Sequence, residues 1–244
     1  MATSGRGRAR GSDIEPTRRL TDDVDLWSEV VDARNDLGML TEQLDAAEVA
    51  RAGRFRFERD RSRFIARRAF LRRVLAGYLG VAPELVLYLI SARGRPELDS
   101  SSGIAFSASH SDGLAVVAVA RDRHVGVDLE RVRPMPDALD LADRVCSPAE
   151  STELRFVAPA DRGERFLRLW TRKEAYVKAL GAGLSMSLAE IEVGPSGEQP
   201  RRLPGAGAPF VFADVDGIDG YVGSIAASGT RVRVRCMTRT AAAA

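Results

Sequence analysis

Two long stretches carry apolar residues at helical spacing. In residues 58–78, Phe64, Leu71, Val74 and Leu75 fall on one face, with Gly77, Gly80 and Pro83 punctuating the end. In residues 161–180, Phe166, Leu169, Trp170, Val177 and Leu180 share a stripe that stops at Gly181 and Gly183. After each helix the pattern shortens into strand-like runs. The first set is 84–90, 104–107, 114–120 and 125–129, and the second is 188–193, 209–214, 221–227 and 231–237. A helix followed by strands, twice over, predicts an α+β fold with mainly antiparallel sheets rather than a βαβ array.

The two halves align without gaps at an offset of 106 residues. Ala69-Phe70-Leu71-Arg72 falls on Ala175-Tyr176-Val177-Lys178, Glu84-Leu85-Val86-Leu87 on Glu190-Ile191-Glu192-Val193, and Phe106 on Phe212. A shared offset in a shared order points to a duplicated unit. The expected organisation is a disordered extension (1–20), an N-terminal lobe (21–130), a Pro-containing linker (131–145), a C-terminal lobe (146–238) and a frayed tail (239–244).

Composition adds one oddity. The 244 residues hold 36 basic and 34 acidic side chains, a net charge of +2, which excludes histone-like and highly charged disordered chains. Only two of the basic residues, Lys173 and Lys178, are lysines, and they lie on the same helix. Cys146 and Cys236, with His110 and His124, show no zinc or disulfide spacing. No apolar run reaches the ~18 residues of a membrane span, and no signal peptide is legible. The expectation is a soluble cytoplasmic protein.

Four segments could carry chemistry. On the second helix Glu174 and Lys178 lie one turn apart beside the apolar stripe, as a surface ion pair or a working pair, while Lys173 falls inside the stripe. In Gly126-Val127-Asp128-Leu129-Glu130, strand periodicity turns both carboxylates to one side. They suit a hard divalent cation such as Mg²⁺, or stand as exposed acids at a strand end. Ser107-Ala108-Ser109-His110-Ser111-Asp112-Gly113 reads as a loop between strands, able to donate to phosphate or to serve as an ordinary turn. Upstream, Arg93-Gly94-Arg95-Pro96 is a basic turn. Residues 51–73 carry ten arginines against Glu58 and Asp60, a local charge of +8 that fits a polyanion or a solvated face. No nucleic-acid recognition pattern accompanies it.

Together and in this order, these elements and Trp170-Thr171-Arg172-Lys173-Glu174-Ala175-Tyr176-Val177-Lys178-Ala179-Leu180-Gly181-Ala182-Gly183-Leu184 resemble the 4′-phosphopantetheinyl transferase family, in its larger single-chain class. The resemblance runs from about residue 42 to 237. It implies a pseudo-dimer of two similar lobes, each a long helix on a small, mainly antiparallel sheet. It also implies transfer of the phosphopantetheine arm of coenzyme A to a serine of an apo acyl or peptidyl carrier protein, releasing adenosine 3′,5′-bisphosphate. By that resemblance Asp128, Glu130 and Glu174 hold Mg²⁺. Lys178 binds the pyrophosphate and assists the leaving phosphate, and Glu174, or a water it orients, is the base. Ser109, His110, Arg95 and Arg51 hold coenzyme A phosphates. A monomer without nucleic-acid or membrane partners is expected. The competing expectation is a non-catalytic polyanion or nucleic-acid binder built on the arginine helix, with no need of the three acids.

Overall fold

The computed structural model describes residues 23–32, 36–91, 96–181, 186–195 and 200–237. The expected extension at 1–20, the tail at 239–244, Arg95 and Gly183 lie outside these residues. The first long helix, α3 (Glu58–Leu79), follows two short ones, α1 (Leu37–Thr41) and α2 (Ala46–Ala52). The second, α6 (Arg162–Leu180), follows α4 (Ala138–Val145) and α5 (Pro148–Arg155). Both long helices stop where a glycine adopts the left-handed conformation, Gly80 at φ 69° and Gly181 at φ 63°, which costs a residue without Cβ little.

The strands are β1 (Asp23–Val30), β2 (Leu89–Ile90), β3 (Pro96–Glu97), β4 (Ile104–Ser111), β5 (Leu114–Arg121), β6 (Val125–Arg131), β7 (Phe210–Asp214), β8 (Tyr221–Ser228) and β9 (Arg233–Met237). One sheet has the order β4-β5-β1-β9, a second β6-β8-β7, and β2-β3 forms a small ribbon. All pairings are antiparallel except β1 with β9.

The two larger sheets stack face to face, with α3 outside one and α6 outside the other. Strand β5 explains why. Its odd residues Ala115, Val117 and Val119 pack with Phe64, Phe70 and Leu75 of α3. Its even residues Leu114, Val116, Ala118 and Ala120 pack against Val125, Val127, Leu129 and Ile225 of the second sheet. A strand buried on both faces must be apolar throughout, as this one is. On the far side, Phe166, Tyr176 and Ala179 of α6 cover Val222 and Ala226 of β8 and Phe210 of β7.

Several expectations need correction. Residues 84–90 form no long strand: Pro83–Leu85 is a 3₁₀ turn, and only Leu89–Ile90 pairs. The carbonyls of Pro83, Glu84 and Val86 accept from the Arg72 guanidinium instead of a neighbouring strand. Residues 188–193 behave alike, with a 3₁₀ turn at Leu188–Glu190 and a single bridge from Glu192 to Arg202. There the carbonyls of Leu188 and Ile191 accept from Lys173, and that of Val193 from Arg172. Residues 138–145, expected as linker, are helix α4. Ser107 to Ser111, expected as a loop, belong to β4, and only Asp112 and Gly113 form the turn. Strand β1 was not anticipated. Its buried Asp25 broke the apolar pattern, but that carboxylate is held by Tyr78 and Arg235.

Candidate active site

The site forms where β4, β6 and α6 meet. Strands β4 and β6 belong to different sheets and share no backbone ladder. Serines at alternate positions of β4 bridge them instead, since alternate residues face one way. Ser107 Oγ accepts from Val127 N at 3.1 Å, and Ser109 Oγ donates to Asp128 Oδ1 at 2.8 Å. Ser111 Oγ donates to Glu130 Oε2 at 2.7 Å and accepts from Arg131 N at 3.0 Å. The serine-rich segment is therefore a seam between sheets.

Gly126 sets how closely α6 approaches β6. A Cβ there would collide with the Ala175 carbonyl and the Ala179 amide of the helix. Asp128, two residues on, points to the same side. Lys178 Nζ donates to Asp128 Oδ1 at 2.7 Å, to Ser109 Oγ at 3.1 Å and to the Val127 carbonyl at 3.2 Å. Three elements thus converge on one buried carboxylate. Its other oxygen, Oδ2, is buried without a hydrogen-bond partner. Glu174, half-buried one turn before Lys178, has its pKa raised by burial first and by the charges of Asp128 and Glu130, against the pull of Lys178. So all three expected acids and Lys178 lie in one electrostatic neighbourhood. Among the described residues, no group of three or more His, Cys, Asp or Glu is gathered as a ready metal-ligand set.

His110 follows Ser109 on β4 and so faces the opposite way, toward α3. It lines a cleft of about 200 Å³ with Arg51, Phe64, Arg67, Arg68 and Val117. The ring is open to this cleft, yet its pKa is lowered to about 4, by partial burial first and then by Arg67, Lys178 and Arg63. Burial and cations act in the same direction, which fixes the sign. Arg51 stands over the Phe64 ring at 5.4 Å. Arg67 is the residue that sequence reasoning missed. Burial and the charges of Arg68, Arg51 and Arg63 lower its pKa to about 10, and its Nε donates to the Arg63 carbonyl. Its signal was the helical register that puts it on the same face as Phe64 and Leu71, hidden among ten arginines.

Six of those ten arginines, at 59, 61, 63, 68, 72 and 73, are ion-paired with carboxylates. Much of the basic face is therefore neutralised, and Arg51 and Arg67, outside these pairs, line the cleft.

Lys173 has a different place. It is fully buried, and its Nζ meets Glu150 Oε2 at 2.6 Å and the carbonyls of Leu188 and Ile191 at 2.8 and 2.5 Å. Glu150, also fully buried, accepts from Ser147 N and Val193 N. Every charge and carbonyl in this knot is paired, as burial requires. It ties α5, α6 and the segment 188–193 together, one residue before Glu174 on the helix.

Known proteins resemble this chain over most of its length. A family model described as the 4′-phosphopantetheinyl transferase superfamily matches residues 124–226, which contain Asp128, Glu130, Glu174 and Lys178. The chain is 39% identical over 214 residues to the 4′-phosphopantetheinyl transferase HetI of Nostoc sp., covering 86% of this chain and 90% of that protein. It is 31% identical over 182 residues to the 4′-phosphopantetheinyl transferase psf-1 of Bacillus pumilus, covering 73% of this chain and 76% of that one. A solved Thermotoga maritima holo-[acyl-carrier-protein] synthase is 21% identical with a TM-score of 0.34, over 44% of this chain and 64% of that one, an overlap too partial to bear on the fold. With a relative 39% identical along nine-tenths of its length, the chain belongs to the 4′-phosphopantetheinyl transferase superfamily.

Proposed function

We propose that this enzyme moves the phosphopantetheine arm of coenzyme A to a serine of an apo acyl or peptidyl carrier protein, with Mg²⁺, releasing adenosine 3′,5′-bisphosphate. The observation that carries this reading is the meeting of Lys178, Ser109 and Asp128 from three elements on one buried carboxylate. Phosphoryl transfer needs positioning and charge neutralisation more than covalent help.

In this reading Asp128, Glu130 and Glu174 would hold the magnesium. The donor chemistry fits: hard carboxylate oxygens, one of them a buried acceptor without a partner. The bound cation would polarise the diphosphate oxygens and offset developing charge. The chain's own groups do the rest. The carrier serine Oγ bonds to the phosphorus that bears the pantetheine arm, and the bond from that phosphorus to the adenosine bisphosphate oxygen breaks. The serine proton passes to Glu174 or to a water it orients. Lys178 neutralises the leaving phosphate and supplies its proton. Arg51, Arg67 and His110 grip the phosphates and nucleotide end in the adjoining cleft. Ser109, first expected to hold phosphate directly, serves more naturally to orient Asp128 and Lys178. Arg95 is assigned to coenzyme A from the resemblance alone.

We also propose the two-lobe, duplicated architecture, with lobes near 21–130 and 146–238 and a single chain acting as its own pseudo-dimer. In support, β4 and β7 start at residues 104 and 210, β5 and β8 at 114 and 221, and α3 and α6 at 58 and 162. The final strand of each half, β6 and β9, pairs in the sheet of the other half. Such an exchange would put the site at the junction of the halves. Among the described residues, no helix is long and apolar enough to cross a membrane.

The test is incubation with coenzyme A, Mg²⁺ and a panel of apo carrier proteins, with each carrier weighed by mass spectrometry. One carrier is expected to gain the phosphopantetheine mass, and Asp128→Ala is expected to abolish the gain while leaving the circular dichroism spectrum unchanged. No gain on any carrier would overturn the reading.

A further inference from the structure

The place that a divalent cation would need is already touched by a cation of the chain itself. Lys178 Nζ lies 2.7 Å from Asp128 Oδ1 and also donates to Ser109 Oγ and the Val127 carbonyl. Asp128 has only 6% of its surface exposed. One oxygen holds the ammonium and the serine hydroxyl, and the other is buried and unpartnered. Glu130 is likewise engaged, through Ser111. Lys178, however, is about one-third exposed and sits in the last turn of α6, so its four-carbon stem can swing.

We infer that Lys178 is the resident counter-ion of the carboxylate cluster, and that it must move onto a substrate phosphate before a divalent cation binds well. This rests on the proposed metal role of Asp128. A second cation arriving beside the ammonium would be repelled at contact distance, where screening is weakest. A diphosphate removes that conflict. Its oxygens take the ammonium, free Asp128 Oδ1 and add negative charge of their own. Metal and coenzyme A then bind as a couple, and linkage requires each to raise the other's affinity by the same factor. The same lysine keeps the acids paired in the substrate-free enzyme and hands them over on loading.

The experiment is a Mn²⁺ titration followed by the electron paramagnetic resonance signal of free Mn²⁺, with and without coenzyme A and with a protein-free coenzyme A blank. It uses the wild-type chain, Lys178→Met and Lys178→Arg. Methionine keeps the length and helix propensity of the side chain but removes the charge, and thermal melts check that each variant is folded. The wild type and Lys178→Arg should bind Mn²⁺ weakly without coenzyme A and at least tenfold more tightly with it. Lys178→Met should bind Mn²⁺ at least tenfold more tightly than the wild type when coenzyme A is absent, and the gain on adding coenzyme A should shrink. Equal Mn²⁺ affinity of wild type and Lys178→Met without coenzyme A, alongside normal binding with it, overturns the counter-ion role and leaves the metal site standing. Absence of Mn²⁺ binding in every protein, even with coenzyme A, overturns the metal site and the inference together. Should Lys178→Met fail to fold, Lys178→Gln asks the same question.

Discussion

Removing the buried ammonium of Lys173 is expected to destabilise the enzyme severely, and removing its partner as well is expected to restore much of the loss. Both side chains of the Lys173–Glu150 pair are wholly excluded from solvent. Lys173→Met leaves the Glu150 charge buried and uncompensated, which costs about 3–5 kcal/mol. The carbonyls of Leu188 and Ile191 also lose their donor, adding about 1 kcal/mol each where water cannot replace it. Against a stability of roughly 5–15 kcal/mol, the single variant stands near the limit of folding. Glu150→Gln keeps an acceptor for Ser147 N or Val193 N but strands the lysine charge, at a similar cost. In Lys173→Met/Glu150→Gln no net charge remains, so a coupling of at least ~2 kcal/mol is expected in the double-mutant cycle. The assay is urea unfolding followed by circular dichroism at several denaturant concentrations, extrapolated to water. Two results would refute the reasoning: a single-mutant cost below about 1 kcal/mol, the range of an exposed ion pair, or a double mutant that merely adds the two single costs.

Three other predictions concern the site. Gly126→Ala should push α6 off β6, because its Cβ meets helix backbone rather than a movable side chain; carrier loading should fall at least tenfold, and unchanged loading would show that the close approach does not position Lys178. Arg67→Ala should raise the KM for coenzyme A roughly 10- to 150-fold, the effect of losing one charge-assisted contact of about 1.5–3 kcal/mol, with kcat little changed. A selective fall in kcat would place Arg67 at the reacting phosphorus instead. His110 should titrate near pH 4 in the substrate-free enzyme, read by NMR with His110→Gln to separate it from His124, and its midpoint should rise when phosphate binds. An unfolded histidine takes its proton near pH 6.5, so stability from this residue is complete above that pH and declines as pH falls toward 4. A substrate-free midpoint at or above 6.5 would contradict the cationic surroundings.

Apolar patterning alone determined the two long helices, the strands beginning at 114 and 125, the last three strands and only the first half of the strand beginning at 104, because the helices repeat a buried face at 3.6 residues and the strands are apolar runs or alternate at 2. Two carboxylates on one side of β6, and Lys173 inside an apolar stripe, were legible for the same reason. Tertiary structure decided what these positions meet. Only packing shows that Gly126 is small because a helix backbone rests on it, or that the serines of β4 stitch two sheets together. Nothing local distinguishes Arg67 from its nine neighbours; it differs because the fold buries it in a cleft with two other arginines and a histidine. Lys173 found its carboxylate 23 residues back along the chain, at Glu150, and Lys178 found Asp128 50 residues back. The alternation of apolar and polar residues sets which way a side chain faces. Partners so distant in sequence are fixed only by long-range contacts between elements, and these create the charges' environment and with it the chemistry.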